Sequence, residues 1–319
     1  MRQISRRKFI GLVGTLGVGA LLLGGCGAPS AAPEGVPTMP AADHTPPATG
    51  SGTQLSVVRG GDPAAITRRA VAALGGMERF VKRGANVIIK PNICVAYHSY
   101  EYAATTNPDV VAELVRLCRE AGAARVRVLD MPFGGTPESA YEITGIKAAV
   151  EAAGGQMEIM SPVKFKEMLF PQGRDIKSWP VYQDVMDADL VINVPIAKHH
   201  NLARLSLGGK NLLGIVDQPN QFHRNLGQRI ADLCSLVRPQ LTVVDAVRIL
   251  VTHGPTGGSL QDVKKTDTVI ASTDIVAADA YAATLFGLKG EDIAYVKAAA
   301  EMGLGTLDLQ SVKIEELSL

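Results

Sequence analysis

The chain has 319 residues, 46% of them hydrophobic and 20% charged, with 32 Lys+Arg against 31 Asp+Glu. That length suits one large domain or two lobes. A balance this close to neutral, with no Lys/Arg block, argues against nucleic acid as a partner.

Arg2, Arg6, Arg7 and Lys8 precede an apolar run from Phe9 to Leu23. The run is too short and too broken by glycine for a spanning helix, so residues 1–25 read as a signal peptide. Ser5-Arg6-Arg7-Lys8-Phe9-Ile10 resembles a twin-arginine export signal, and Leu23-Gly24-Gly25-Cys26 resembles a lipoprotein processing site. Together they imply the twin-arginine export machinery as a partner and Cys26 as an acylated mature N-terminus. The protein would then be an exported lipoprotein, anchored to a membrane on its periplasmic or extracellular face without crossing it. Each buried acyl methylene contributes on the order of 0.8 kcal/mol, so two or more chains hold durably. Losing residues 1–25 removes four basic residues and no acid, which leaves 28 Lys+Arg against 31 Asp+Glu and a formal charge of −3.

Residues 26–54 are mostly Ala, Pro, Gly, Ser and Thr and include His44. They cannot bury enough apolar surface to offset ordering and read as a disordered linker. A folded domain is expected over residues 55–319. Past Cys26 only Cys94, Cys118 and Cys234 remain, none in a Cys-x-x-Cys pair. Three such thiols make neither an intrinsic four-cysteine iron–sulfur cluster nor a disulfide framework.

From Leu55 onward, Val/Ile/Leu-rich runs alternate with amphipathic stretches. A helix over Pro63–Leu74 precedes a strand over Asn86–Lys90, which leads to Asn92 and then Thr105-Thr106-Asn107. Asn107, Pro108 and Asp109 form an N-cap, N1 and first-turn series for a helix to Ala121, with Cys118 on its apolar face. A strand over Arg125–Asp130, a helix over Glu138–Ala153 and a strand over Met157–Ser161 follow. Phe165–Tyr182 is irregular and suits an insertion or an inter-lobe excursion. The strand Leu190–Val194 leads to Lys198, His199, His200 and then Ser206 to Asn211. A helix over Gly227–Leu236 precedes a strand over Leu241–Asp245 and the Gly-rich turn His253–Gly258. The last strand, Thr268–Ala271, meets Ser272-Thr273-Asp274, where Ser272 or Thr273 is expected to cap a helix over Ile275–Phe286. Asp279 stands among the alanines of that helix and is expected to hold a structural hydrogen bond. A helix over Glu291–Met302 closes the series. The alternation predicts an α/β fold, a mainly parallel sheet with flanking helices, built as one unit with room for a bilobal cleft.

Ligands of open α/β sheets sit at the carboxyl ends of the strands. The polar residues placed there are Lys90, Asn92, Thr106, Asp130, Lys198, His200, Ser206, Lys210, Asn211, Asp245, Gly257 and Asp274. Lys90-Pro91-Asn92, Thr106 with Pro108, Asp130, Lys198 with His200, Ser206 to Gly214, Val244-Asp245-Ala246, Gly254-Pro255 with Gly257, and Ser272-Thr273-Asp274 resemble the protein family called domain of unknown function 362. The chain departs from that pattern at Ile196, where a lysine is common, and lacks the ferredoxin-like cysteine segment of many members. Electron transfer by an intrinsic cluster is therefore not implied.

Lys90, Lys198 and Lys210 are expected to bind a small anionic ligand, with Asn92, Thr106, Asp130, Ser206, Asn211, Gly257 and Asp274 around it. His200, Asp245 and Lys198 are the expected catalytic groups. His200, His223 and Asp245 are the candidate ligands of a divalent metal. The ordinary alternatives are solvated lysines and hydrogen-bonded histidines. The expected function is an enzyme acting on a small anionic substrate, and the alternative is a non-enzymatic surface lipoprotein that captures a metabolite or metal.

Overall fold

The computed structural model describes Gly52 and residues 54–319. The expected export signal at 1–25, the expected lipidation site Cys26 and His44 lie outside the described residues, as does nearly all of the expected linker. Strand β1 (Leu55–Arg59) leads into α1 (Pro63–Ala73), β2 (Asn86–Pro91), α2 (Pro108–Glu120), β3 (Arg125–Val128), α3 (Pro137–Ile143), α4 (Ile146–Ala152) and β4 (Gln156–Met157). Then come β5 (Phe165–Leu169), β6 (Ser178–Tyr182), α5 (Gln183–Met186), β7 (Leu190–Val194), β8 (Ile196–His200), β9 (Arg204–Ser206) and α6 (Gly208–Asn211). The remaining elements are α7 (Leu226–Val237), β10 (Leu241–Leu250), β11 (Val263–Ser272), α8 (Ile275–Thr284), α9 (Ala294–Glu301) and β12 (Ile314–Ser318).

The main sheet runs β12-β1-β11-β10-β7-β2-β3-β4, with β8 beside β10 and β9 beside β8. Strands β4, β3, β2, β7 and β10 are parallel neighbours. β11 runs antiparallel to both β10 and β1. The fold is thus α/β, a mostly parallel mixed sheet with flanking helices. Helices cover both faces, and strand alternation sorts the side chains between two cores. Val87, Ile89, Leu190, Ile192, Leu241 and Val243 face α1, α2 and α4. Ile88, Val191, Val244 and Ala246 face the other core, with α7, α8 and α9.

Helix α2 starts as its sequence dictates, with the Asn107 side chain accepting from Asp109 N. Three expectations change. The helix placed over Glu138–Ala153 is two helices, because Gly145 takes a left-handed φ of +76° between them. The irregular stretch Phe165–Tyr182 is the β5–β6 hairpin, and its Phe170, Ile176 and Val181 pack in the same core as α7 and α8. Among the described residues there is no second lobe. The cap of α8 is Asp274, which accepts from Val276 N and Ala277 N, while Ser272 Oγ bonds to Gln54 O. Among the described residues no helix is long and apolar enough to cross a membrane.

Candidate functional site

Lys90 and Asn193 each follow, two residues on, an apolar residue packed in the α7–α9 core (Ile88 and Val191), so strand alternation turns both toward α6. Lys90 is only 1% exposed. Its Nζ pairs with Asp130 Oδ1 at 2.8 Å and donates to Asn211 Oδ1 at 3.0 Å. Asp130 is held in turn by Ile93 N at 2.5 Å and Met131 N at 2.9 Å. Burial pushes the Lys90 ammonium below its usual range, and Asp130 opposes that shift. Asn211 also accepts from Asn92 Nδ2 at 3.0 Å and donates to Lys90 O at 3.1 Å and Asn193 Oδ1 at 2.8 Å. A Cβ on Gly214 would stand 1.9 Å from Asp130 Oδ1, so only glycine lets the chain pass behind this pair.

Lys198 is equally buried, and its Nζ donates to Asn92 Oδ1 at 2.9 Å, Ala104 O at 2.6 Å and Pro255 O at 3.0 Å. Cys94 Sγ lies 3.2 Å away. No carboxylate is among these partners. With three oxygen acceptors, the nitrogen has no donor to spare for a ligand.

His200 lies two residues along β8 from Lys198, and Ser206 is the cross-strand partner of Lys198, so the three share a face of the β8–β9 hairpin. Nδ1 of His200 accepts from Leu202 N at 3.1 Å and Ala203 N at 3.3 Å. Burial first, then the charges of Lys210 and Lys198, push His200 down to about 3. The ring is therefore neutral at physiological pH, with its proton on Nε2 as a donor. Lys210 follows the Gly208-Gly209 pair of α6, which packs against β7 and β9. Its Nζ has no hydrogen-bond or ion-pair partner among the described residues. Burial, then Lys198 and to a smaller degree Lys90, push Lys210 down to about 8. His223 is exposed and is lowered by partial burial and by Lys210.

The α6 backbone is itself fixed by a carboxylate. Asp279 accepts from Gly208 N at 2.6 Å and Gly209 N at 2.8 Å, and burial pushes it up to about 7. These amides hold a protein carboxylate, as expected for the structural role of Asp279.

Lys90, Asn92, Asp130, Lys198 and Asn211 thus form one connected network, with His200, Ser206 and Lys210 beside it. Four expected site residues do other work. Thr106 Oγ1 donates to Val194 O and accepts from Asn92 N, which ties two strand ends together. Asp274 spends its carboxylate on α8 and on Thr306 N. Gly257 is required by a φ of +64° in the turn whose Pro255 carbonyl reaches Lys198. Asp245 has the parity of Val243 and Val247, so it faces α2, where it accepts from Asn107 N at 2.7 Å and from Val247 N at 3.0 Å.

Among the described residues no three His, Cys, Asp or Glu side chains gather as a metal site. His200, His223 and Asp245 do not form the expected triad. The physical reason is that Asp245 is consumed by backbone amides on the α2 face, and His200 Nδ1 is consumed by two amides. Sequence reasoning missed Asn193 and Cys94. Asn193 carried a signal, as the polar residue inside an otherwise apolar strand. Cys94 carried none.

The domain of unknown function (DUF362) model matches residues 87–284, which contain every residue of this network. The chain is 26% identical over 250 residues to the thylakoid-associated protein sll1697 of Synechocystis, covering 75% of each. Its fold is similar to the lactate racemase apoprotein from Thermoanaerobacterium thermosaccharolyticum at 13% identity and a TM-score of 0.45, over 82% of this chain. The chain spans 58% of that protein, and a likeness at this level bears on neither site nor activity. With its strand ends, lysines and glycine pair all inside the matched segment, the chain belongs to the domain of unknown function (DUF362) family.

Proposed function

We propose that the protein is an exported, lipid-anchored member of this family that binds a small anionic molecule at the carboxyl edge of the sheet. The observation that carries this reading is the charge imbalance. Three lysines converge there, and the network contains one carboxylate, Asp130, which is paired with Lys90. Lys198 and Lys90 supply a field that water does not screen, while Lys210 Nζ, His200 Nε2 and Ser206 Oγ are the groups with bonding capacity left for the ligand. An anion there relieves the repulsion between ammonium groups and gains charge-assisted hydrogen bonds.

The test is titration calorimetry at low ionic strength with inorganic phosphate, acetate and pyruvate, on wild type and Lys210→Gln. Saturable binding that weakens by roughly 10- to 100-fold in the variant is expected, from the 1.5–3 kcal/mol of a charged hydrogen bond. Binding of none of the three, or binding indifferent to Lys210, overturns the assignment. A second reading, capture without turnover, is favoured by one observation: Asp245 and His200 Nδ1 are both occupied by backbone amides, so neither is a free base.

A further inference from the structure

The three lysines of the site differ in one respect. Lys90 Nζ is engaged by Asp130 and Asn211, and Lys198 Nζ by three oxygens and a thiol. Of the three, only Lys210 has no hydrogen-bond or ion-pair partner for its nitrogen among the described residues, and it stands on a short helix held by Asp279, near Lys198 and Lys90. A lysine next to other cations loses its proton more readily, and an uncharged amine is a carbonyl nucleophile.

Resting on the anion-site reading above, we propose that Lys210 forms an imine with the carbonyl carbon of a small carboxylate whose carbonyl stands beside the acid group, a 2-oxo acid. The Lys198 and Lys90 field and the His200 Nε2–H hold the carboxylate. The adjacent carbonyl carbon would then meet the amine of Lys210, which is close enough to Lys198, Lys90 and His200 to interact with their charges. The lone pair of Nζ forms the C–N bond as the carbonyl π pair moves onto oxygen, and a proton passes from nitrogen to that oxygen to give the carbinolamine. The C–O bond then breaks, oxygen leaves as water with a second proton, and the C=N bond remains. Amine plus ketone gives imine plus water, and no oxidant or reductant is consumed. The imine nitrogen then takes up a proton from solvent water, which puts a positive charge beside the substrate carboxylate. Ser206 Oγ, on the face shared by Lys198 and His200, is the hydroxyl proposed to relay the proton.

The test uses pyruvate as probe, with sodium borohydride to reduce any imine, followed by peptide mapping. The expected result is a stable carboxyethyl adduct on Lys210, with half-buried Lys147 and exposed Lys297 unmodified at the same dose, and no adduct in Lys210→Gln. Competitive acetylation against pH is the second measurement. Lys210 faces Lys198 and His200 from β8, Lys90 from β2, Cys94 after β2, and His223. Within that environment it should acetylate with a midpoint near 8 in the ligand-free protein. Pyruvate that binds in calorimetry but leaves no adduct on Lys210, or adducts spread over surface lysines, overturns the imine and leaves the anion site standing. Absence of binding by phosphate, acetate and pyruvate alike overturns both.

Discussion

Residue by residue, the network depends on buried charge being answered locally. Lys90 and Asp130 are each almost fully inaccessible and 2.8 Å apart. Removing one partner of such a pair costs about 3–5 kcal/mol, because an uncompensated charge stays in the interior. Asp130→Asn should therefore destabilise the protein by about that amount in urea titration, and Lys90→Met with Asp130→Leu together should recover most of it. His200 gives a pH signature. Its ordinary value of 6.5 falls to about 3 in the fold, so the stability it contributes is present above pH 6.5 and is lost as pH falls toward 3. Asp245 and Asp279 act in the opposite sense. Burial raises them from 3.8 to about 6 and about 7, so their contribution is full below 3.8 and lost as pH rises through those values. The whole-protein profile is a sum of these, and the difference between wild type and His200→Asn isolates one component. The asparagine carbonyl can still accept from Leu202 N or Ala203 N, and it does not titrate. The wild type should lose stability relative to the variant between pH 6.5 and pH 4, measured as unfolding midpoints in urea at each pH.

At the scale of elements, the site depends on α6 being set at the correct height above β7. A Cβ on Gly208 would meet Asp279 Oδ1 at 2.7 Å, and one on Gly209 would meet the Tyr295 ring at 3.0 Å, so the glycine pair lets the helix start against α8 and α9. Asp279→Ala leaves two buried amides unanswered and should cost about 2–3 kcal/mol, at 1–3 kcal/mol for each unmet buried group less what water recovers. Because α6 carries Lys210 and Asn211, the same variant should also lose anion affinity while its far-UV circular dichroism stays native below the unfolding transition. Parts of this arrangement were legible in the sequence. Leu190–Val194 reads as a buried strand because five consecutive residues can be covered on both faces, and Asn107-Pro108-Asp109 announces α2 through its own cap. The carboxyl-end rule then selected Lys90, Asn92, Asp130, Lys198, His200, Ser206, Lys210 and Asn211 from a long polar inventory. The β8–β9 hairpin was not legible, since Lys198, His199 and His200 carry no alternation of polar and apolar side chains. Nor was the assignment of Asp245, whose partner Asn107 lies 138 positions away and meets it only once α2 docks on the sheet.

The whole molecule places its entry point and its site at opposite edges of one sheet. Leu55 pairs with Ser272, and Ser272 pairs with Thr242 near the start of β10, so β1 begins at the amino edge of the parallel strands. The network of Lys90, Asn193 and Lys198 sits at or beyond the carboxyl ends of β2, β7 and β8. The network therefore lies at the end of the sheet opposite Leu55, the first residue of β1. Anchoring and binding should then be separable. Cys26→Ala, expressed in a host with twin-arginine export, should move the protein from the membrane to the soluble fraction. On the proposed anchoring, acyl chains would supply the holding energy at roughly 0.8 kcal/mol per methylene, and among the described residues no helix is long and apolar enough to cross a membrane. Its affinity for phosphate or pyruvate should stay within about twofold of wild type, because no residue of the network lies before Lys90. Wild-type protein that fractionates as soluble without fatty acid on Cys26 would remove the anchor from the proposal. A variant that is released yet also loses anion binding would show that the segment before Leu55 contributes to the site.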